Sequence, residues 1–211
     1  SGMILTHAHL DHCGRLPILS KNGFKENVFC TPPTNELTRI TLEDSVKIAR
    51  EDKTLKMFES KDVENILEKF VNIDYRNDLH HGDFQIRLRD AGHILGSASI
   101  EIVDKKADRE IKKIIFSGDI GNYPAQLEEQ TEFIDSGDVV IMESTYGDRL
   151  HSKEHPVEAL RSEINAVEIS GGTLLIPTFS LDRAQELMHM IRHLKEDGKV
   201  LNETPVILDS P

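Results

Sequence analysis

The chain has no tryptophan, only two cysteines in 211 residues, and fewer basic than acidic side chains. Each shortage removes a class of protein. Cys13 and Cys30 are too few for a disulfide-stapled scaffold, so a reducing, cytoplasmic setting is expected. No apolar run approaches the ~20 residues of a membrane helix and no signal peptide opens the sequence, so no membrane partner is expected. Repeats, low-complexity tracts and Pro/Gly/Ser-rich linkers are lacking as well. A formal net charge of −12, from 25 Lys+Arg against 37 Asp+Glu, argues against a broad basic footprint for nucleic acid. The acid excess lies beyond residue 60. What is present, 38% hydrophobic and 29% charged residues, describes an ordinary globular chain long enough for one domain with a full core.

Strand-like runs fall at Met3–Thr6, Val28–Cys30, Phe84–Arg89, Ser99–Val103, Lys113–Ser117, Val139–Glu143, Thr173–Ile176 and Val206–Leu208. Phe84, Ile86 and Leu88 alternate with polar residues, which predicts one buried face. Val139–Met142 and Leu174–Ile176 do not alternate and predict strands buried on both faces. Helical spacing links Leu42, Val46 and Ala49. Ser60 is a candidate cap for a helix burying Val63, Ile66, Leu67 and Phe70. Pro156 opens a helix with Val157, Leu160, Ile164 and Val167 inward, closing near Gly171-Gly172. Another runs from about Asp182, with Ala184, Leu187, Met188, Ile191 and Leu194 inward and Gly198 beyond its end. The expected class is α/β (α+β), with helices layered on sheet.

The strongest chemical signal is Thr6-His7-Ala8-His9-Leu10-Asp11-His12, directly after the first strand. Imidazole nitrogen and carboxylate oxygen suit zinc-like cations. A tight strand-to-helix turn can aim His7 and His9 one way and Asp11 and His12 the other, a geometry for two neighbouring metals. His93, in Asp90-Ala91-Gly92-His93-Ile94-Leu95-Gly96-Ser97, and Asp119, in Ser117-Gly118-Asp119-Ile120-Gly121, also follow strand ends, where open sheets collect ligands. Glu143 ends an apolar strand, where two readings stand side by side: a carboxylate that holds a ligand histidine in one tautomer, or an ordinary strand end followed by a helix cap at Ser144 or Thr145. The other histidines read as structural: His189 and His193 as a solvated helix face, His80-His81 as a polar turn before Gly82-Asp83, His151 and His155 as part of a polar stretch. Cys13 is weak evidence for ligation.

This constellation resembles the metallo-β-lactamase superfamily. His7-Ala8-His9-Leu10-Asp11-His12 matches its HxHxDH motif, His93 its next histidine and Asp119 its bridging aspartate. Gly92–Ala98, Glu143–His151 and Arg183-Ala184-Gln185-Glu186-Leu187 are similar to the β-CASP branch, RNA-processing nucleases related to the endonuclease of messenger-RNA 3′-end cleavage. Glu143 matches the acidic residue of that branch's motif A. The implied fold is the αββα sandwich of the superfamily, incomplete here. Residues 1–205 would be a partial metallo-β-lactamase domain and 206–211 the entry into the β-CASP domain. The strands and early aspartate motif that precede HxHxDH in the family, the β-CASP insertion and the late second-site histidine are not in the sequence. With Ser1-Gly2 set like an expression scar against a strand, an excerpt of a longer chain is expected, one that by itself binds the second metal poorly and lacks catalysis.

By the same resemblance, His7, His9 and His93 hold one Zn2+, Asp11 and His12 a second, and Asp119 spans both, with Mn2+ an alternative cation. A bridging hydroxide would attack the phosphodiester of single-stranded RNA, endonucleolytically or from the 5′ end, with Asp11 orienting it and the leaving-group acid lying beyond this sequence. The implied partners are RNA and either a homodimer mate or an RNA-processing complex. Two other functions compete. A dinuclear hydrolase of small esters or thioesters shares HxHxDH but not the Glu143–Arg149 and Arg183–Leu187 stretches. A non-catalytic scaffold paralogue would be expected to have decayed ligands.

Overall fold

Val28-Phe29-Cys30 shows how the smaller sheet is built, because its side chains alternate between two apolar environments. Val28 and Cys30 face helices, and Phe29 faces a second sheet. In the computed structural model, residues 1–53, 57–106, 111–121, 127–150 and 154–209 are described. They gather into two units, Ser1–Glu143 and Ser144–Pro211. His151, Ser210 and Pro211 lie outside the described residues.

In Ser1–Glu143, strands β1 (Met3–Ile4), β2 (Val28–Cys30) and β3 (Phe70–Asn72) are all parallel, in the order β1-β2-β3. The second sheet runs β4 (Asp78–His81), β5 (Phe84–Asp90), β6 (Ala98–Asp104), β7 (Lys113–Phe116) and β8 (Val139–Ile141), antiparallel except for β7 with β8. Ile4, Phe29 and Val71 pack against Ile86, Leu88, Ala98, Ile100 and Phe116, so the sheets meet face to face. Burying one such leucine completely contributes roughly 1.5–3 kcal/mol. The outer face of the small sheet is covered from helices α1 (Leu10–Cys13), α2 (Leu16–Lys21), α3 (Pro32–Glu51) and α4 (Ser60–Leu67), which supply Cys13, Leu16, Leu42, Val46, Val63, Ile66 and Leu67. This is a mixed α/β architecture of two sheets with flanking helices.

Several expectations are corrected. Val139–Glu143 does not form a strand buried on both faces: β8 pairs with β7 at the edge of the sheet among the described residues, and Val140, Ile141 and Met142 stay exposed. Neither Thr173–Ile176 nor Val206–Leu208 forms a strand, because no ladder partner pairs with them among the described residues. Phe70 leaves the helix and enters β3. The N-cap of α4 is Glu59 rather than Ser60, since Asp62 at N3 reaches back to the Glu59 N–H (2.9 Å) while Ser60 Oγ accepts from Arg50 Nη2. His80-His81 lie in β4, paired with β5, and the turn falls at Gly82 with its positive φ of 61°. Phe84, which pairs with His81 beside the same turn, is exposed, so the buried face of β5 is made by Ile86 and Leu88.

In Ser144–Pro211, α5 (Pro156–Ser170) and α6 (Arg183–Glu196) bury Leu160, Ile164, Met190, Ile191 and Leu194 together with Val200. Gly171 ends α5 in the left-handed conformation (φ 69°), as the sequence predicts. Met188 is exposed and Met190 fills the inward place instead.

Candidate metal centre

Three loops build the centre, and each is fixed by hydrogen bonds to its backbone. The first leaves β1. Leu5 N–H donates to Phe29 O (2.9 Å), and Thr6 O accepts from Ala98 N–H (2.8 Å), so the chain is tied to both sheets just before His7. The loop then turns into α1 with His9 at the N-cap, whose carbonyl accepts the N–H groups of His12 and Cys13. Thr41 Oγ1, from α3, and the Cys13 thiol both donate to Ala8 O (3.2 and 3.4 Å). Burial pushes that thiol up to about 12, so Cys13 is a neutral donor here and not a thiolate ligand.

The second loop carries His93. Ser97 Oγ accepts from the N–H groups of His93 (3.0 Å) and Ile94 (3.2 Å). Gly96 O accepts from Thr31 Oγ1 (2.6 Å) and Thr34 Oγ1 (2.8 Å) at the start of α3. Thr31 is also the N-cap of that helix, ahead of Pro32 and Pro33, so one capping segment both starts α3 and clasps the His93 loop. The third loop carries Asp119. Gly121 N–H donates to Ala91 O (2.9 Å), and a Cβ added at Gly121 would lie 1.5 Å from Gly92 O. Only glycine lets the His93 and Asp119 loops approach this closely. Glu143 Oε1 accepts from Ile120 N–H (2.7 Å), and Glu143 N–H donates to Ser117 Oγ (3.0 Å). The carboxylate of Glu143 thus anchors the backbone next to Asp119.

The side chains that converge are His7, His9, His93 and Asp119, each with a ligand atom within 4.8 Å of the others. Asp119 Oδ2 lies 3.6 Å from His7 Nε2 and 3.7 Å from His93 Nε2. Asp119 Oδ1 points to His12 Nε2 at 3.4 Å, and Asp11 Oδ2 lies 3.5 Å from the same nitrogen. Asp119 thus turns Oδ2 towards His7 and His93 and Oδ1 towards His12, whose ring centroid is itself 4.0 Å from that of His7. Asp11 is the most open member, its side chain 79% exposed.

These separations are too long for hydrogen bonds. Those from Asp119 Oδ2 to His7 and His93 are a few tenths of an ångström above the roughly 3.3 Å that separates donors on one tetrahedral cation with ligand bonds near 2.0–2.1 Å. His7 supports this. It is fully buried, its Nδ1 is 3.1 Å from Thr6 Oγ1, and its Nε2 has no hydrogen-bond partner. Burial first, then the neighbouring His12, His93 and His9, pushes the His7 imidazolium down to about 2, so the ring is neutral. A buried Nε2 without a hydrogen-bond partner, facing a carboxylate oxygen at 3.6 Å, is costly unless a further group satisfies it, and this donor set can hold a metal ion. Thr31, Thr34, Thr41 and Gly121 were not among the candidate site residues. The Thr31-Pro32-Pro33-Thr34 cap was the sequence signal for the first two, but their grip on a loop more than sixty residues away has no local signature.

Proteins similar to this chain include ribonucleases and transcription termination factors. Ribonuclease TTHA0252 of Thermus thermophilus is 36% identical over 99% of this chain and 46% of its own length. An RNase J-like protein of Methanocaldococcus jannaschii is 34% identical over 98% of this chain and 47% of its own. Transcription termination factor FttA of the same organism is 33% identical over 98% of this chain and 33% of its own. The chain spans about half the length of these ribonucleases. No protein-family model matches it.

Proposed function

We propose that the chain is part of a metal-dependent phosphodiester hydrolase acting on RNA, a member of the β-CASP branch of the metallo-β-lactamase superfamily with its αββα sandwich. The observation that carries this reading is the Asp119 carboxylate, which turns one oxygen to His7 and His93 and the other to His12. A single carboxylate serving two groups of donors suits two cations side by side. His7, His9 and His93 would hold one and Asp11 and His12 the other. When bound, zinc ions, or manganese in their place, would polarise the phosphodiester and supply a hydroxide nucleophile at neutral pH.

The chain's own residues do the positioning. The buried neutral His7 and the pinned loops fix the donors before any ligand arrives, which lowers the reorganisation that binding requires. Asp11, at the open rim, can accept a proton from the attacking water. Glu143 acts one step back, holding the Asp119 loop through Ile120 N–H. The names of the similar proteins support RNA as the substrate class.

The test uses the whole protein loaded with zinc or manganese and a labelled single-stranded RNA. Cleavage is expected, with loss of more than a thousandfold in rate for Asp119→Ala and His12→Ala in proteins of unchanged circular dichroism. Intact RNA across metals and pH, with thioester or small-ester turnover instead, overturns the reading.

A further inference from the structure

A second group of imidazoles lies far along the sequence from the loops described above, in the other unit. His189 and His193 are one turn apart on α6, and their Nε2 atoms are 3.1 Å from each other. His193 Nδ1 lies 3.2 Å from Glu196 Oε2, while the other oxygen of Glu196 accepts from Arg192 Nε at 2.8 Å. We propose that His189 and His193 form an exchangeable binding site for a divalent transition-metal ion on α6, with Glu196 as its positioning residue.

The spacing carries the argument. Two nitrogens bound to one cation at about 2.0–2.1 Å, with an angle between them of roughly 90–105°, lie about 2.8–3.3 Å apart. The two Nε2 atoms already sit in that range. The i, i+4 arrangement places both rings over one face of a helix whose backbone is already formed, so little order must be gained on binding. Glu196 then decides which nitrogen is available. Its Oε2 faces His193 Nδ1, which keeps the proton on that nitrogen and leaves the Nε2 lone pair directed at His189. Arg192 occupies the opposite oxygen and holds the carboxylate in place, so Glu196 supports a ligand rather than acting as one.

The donor set selects the cation. Two neutral imidazoles favour copper, nickel and zinc over the oxygen-seeking magnesium and calcium, and copper binds most tightly in the usual order. With two protein ligands, the remaining positions are filled by water, so the ion exchanges readily and could accept a further donor from a partner. None of this depends on the substrate of the first centre.

The test is a Ni2+ and Cu2+ titration of the metal-free full chain, compared with His189→Gln, His193→Gln, His189→Ala and Glu196→Gln. Glutamine is a good helix former, so the first two variants keep α6 while removing a ligand. The chain is expected to take up about one more equivalent of Ni2+ than either single glutamine variant. Its Cu2+ spectrum should show two-nitrogen ligation that the histidine variants lose. Glu196→Gln should weaken this equivalent by about tenfold to a hundredfold. Mg2+ should give no corresponding uptake. Equal uptake of Ni2+ by the chain and all histidine variants, or a two-nitrogen copper signal that survives His189→Gln, overturns the proposal.

Discussion

Ser1–Glu143 and Ser144–Pro211 deal with apolar sequence in opposite ways. In the first, Leu42, Ile66 and Leu88 are fully buried and even a histidine, His7, is closed off from solvent. In the second, Leu175, Phe179 and Ile207 are 86%, 82% and 85% exposed. The cause is pairing. Eight strands in the first unit find ladder partners, and two sheets then bury each other's apolar faces. Among the described residues of the second, two helices bury one stripe each against the other and the strand-like runs on either side of α6 have no ladder. A rigid sandwich can hold polar loops at fixed distances; a helix pair with bare flanks cannot do so on the same scale. That is why the converging donors lie in the first unit, and why the histidine pair of the second must rely on the helix itself.

The sharpest way to break this contrast is at the point where two loops of the first unit touch. Gly121→Ala would place a methyl group inside the Gly92 carbonyl, at 1.5 Å, so the His93 and Asp119 loops must part. Metal uptake by the His7 centre is expected to disappear, with the circular dichroism of α5 and α6 retained. A variant that still binds metal at that centre would mean the loops are less tightly specified than their backbone contacts imply.

Matched core substitutions come next. Leu88→Ala empties a fully buried position between the sheets, and Leu194→Ala a nearly closed one (1% exposed) between α5 and α6. Each should cost about 2–5 kcal/mol in denaturant unfolding. The contrast predicts different consequences: Leu88→Ala loosens metal retention by the His7 centre, whereas Leu194→Ala leaves it intact while exposing α6 to proteolysis. Metal loss in both would show the two units folding as one.

How much of this was legible in the sequence depends on the range of the forces involved. The His7–His12 loop stood out as a candidate because its imidazoles and carboxylate are clustered within six positions, and the strand Val28–Cys30 and helices α5 and α6 because their apolar signals are local. Strands β3 and β4 were not, since Phe70–Asn72 and Asp78–His81 carry too few apolar residues to show a period and become strands only by pairing with β2 and β5. Val139–Ile141 misled for the opposite reason. Its continuous apolar run suggested two buried faces, yet face burial needs a layer packed over each side of the sheet, and Val140 and Ile141 remain exposed. The convergence of Asp119 with His7, His12 and His93 could be inferred as a shared tendency of strand ends, but the division of its two oxygens between donor groups is purely tertiary.

A smaller effect separates two roles for Glu143. If it holds the Asp119 loop through Ile120 N–H, Glu143→Ala should weaken metal affinity of the His7 centre by about ten- to a hundredfold. Glu143→Gln, which keeps an oxygen able to accept that N–H, should restore most of it. If the carboxylate instead moves a proton in the reaction, both variants lose rate alike while metal affinity stays near that of the parent. Measuring affinity and rate on the same two proteins therefore decides between positioning and proton transfer.

The smallest effect concerns what stiffens the sheet beneath these loops. Glu101, nearly closed off on β6, accepts from Arg89 Nε on β5 (2.6 Å) and lies 2.6 Å from Lys113 Nζ on β7. Burial alone would raise its carboxyl, but the hydrogen bonds from Lys113 and Arg89 outweigh it and hold the group below the ordinary carboxylate range. A depressed folded value means that the unfolded chain binds the proton more readily. The stabilisation is therefore complete above the unfolded carboxyl value, near ~4.3, and is lost as pH falls through the lower folded one. Acid unfolding of Ser1–Glu143, followed by near-ultraviolet circular dichroism, should be less steep for Glu101→Gln than for the parent in that window. The variant should also be less stable at neutral pH, because Arg89 and Lys113 are left facing each other without the shared carboxylate. An unchanged acid limb would mean that the three side chains separate in solution and that the sheet owes its rigidity to the apolar face alone.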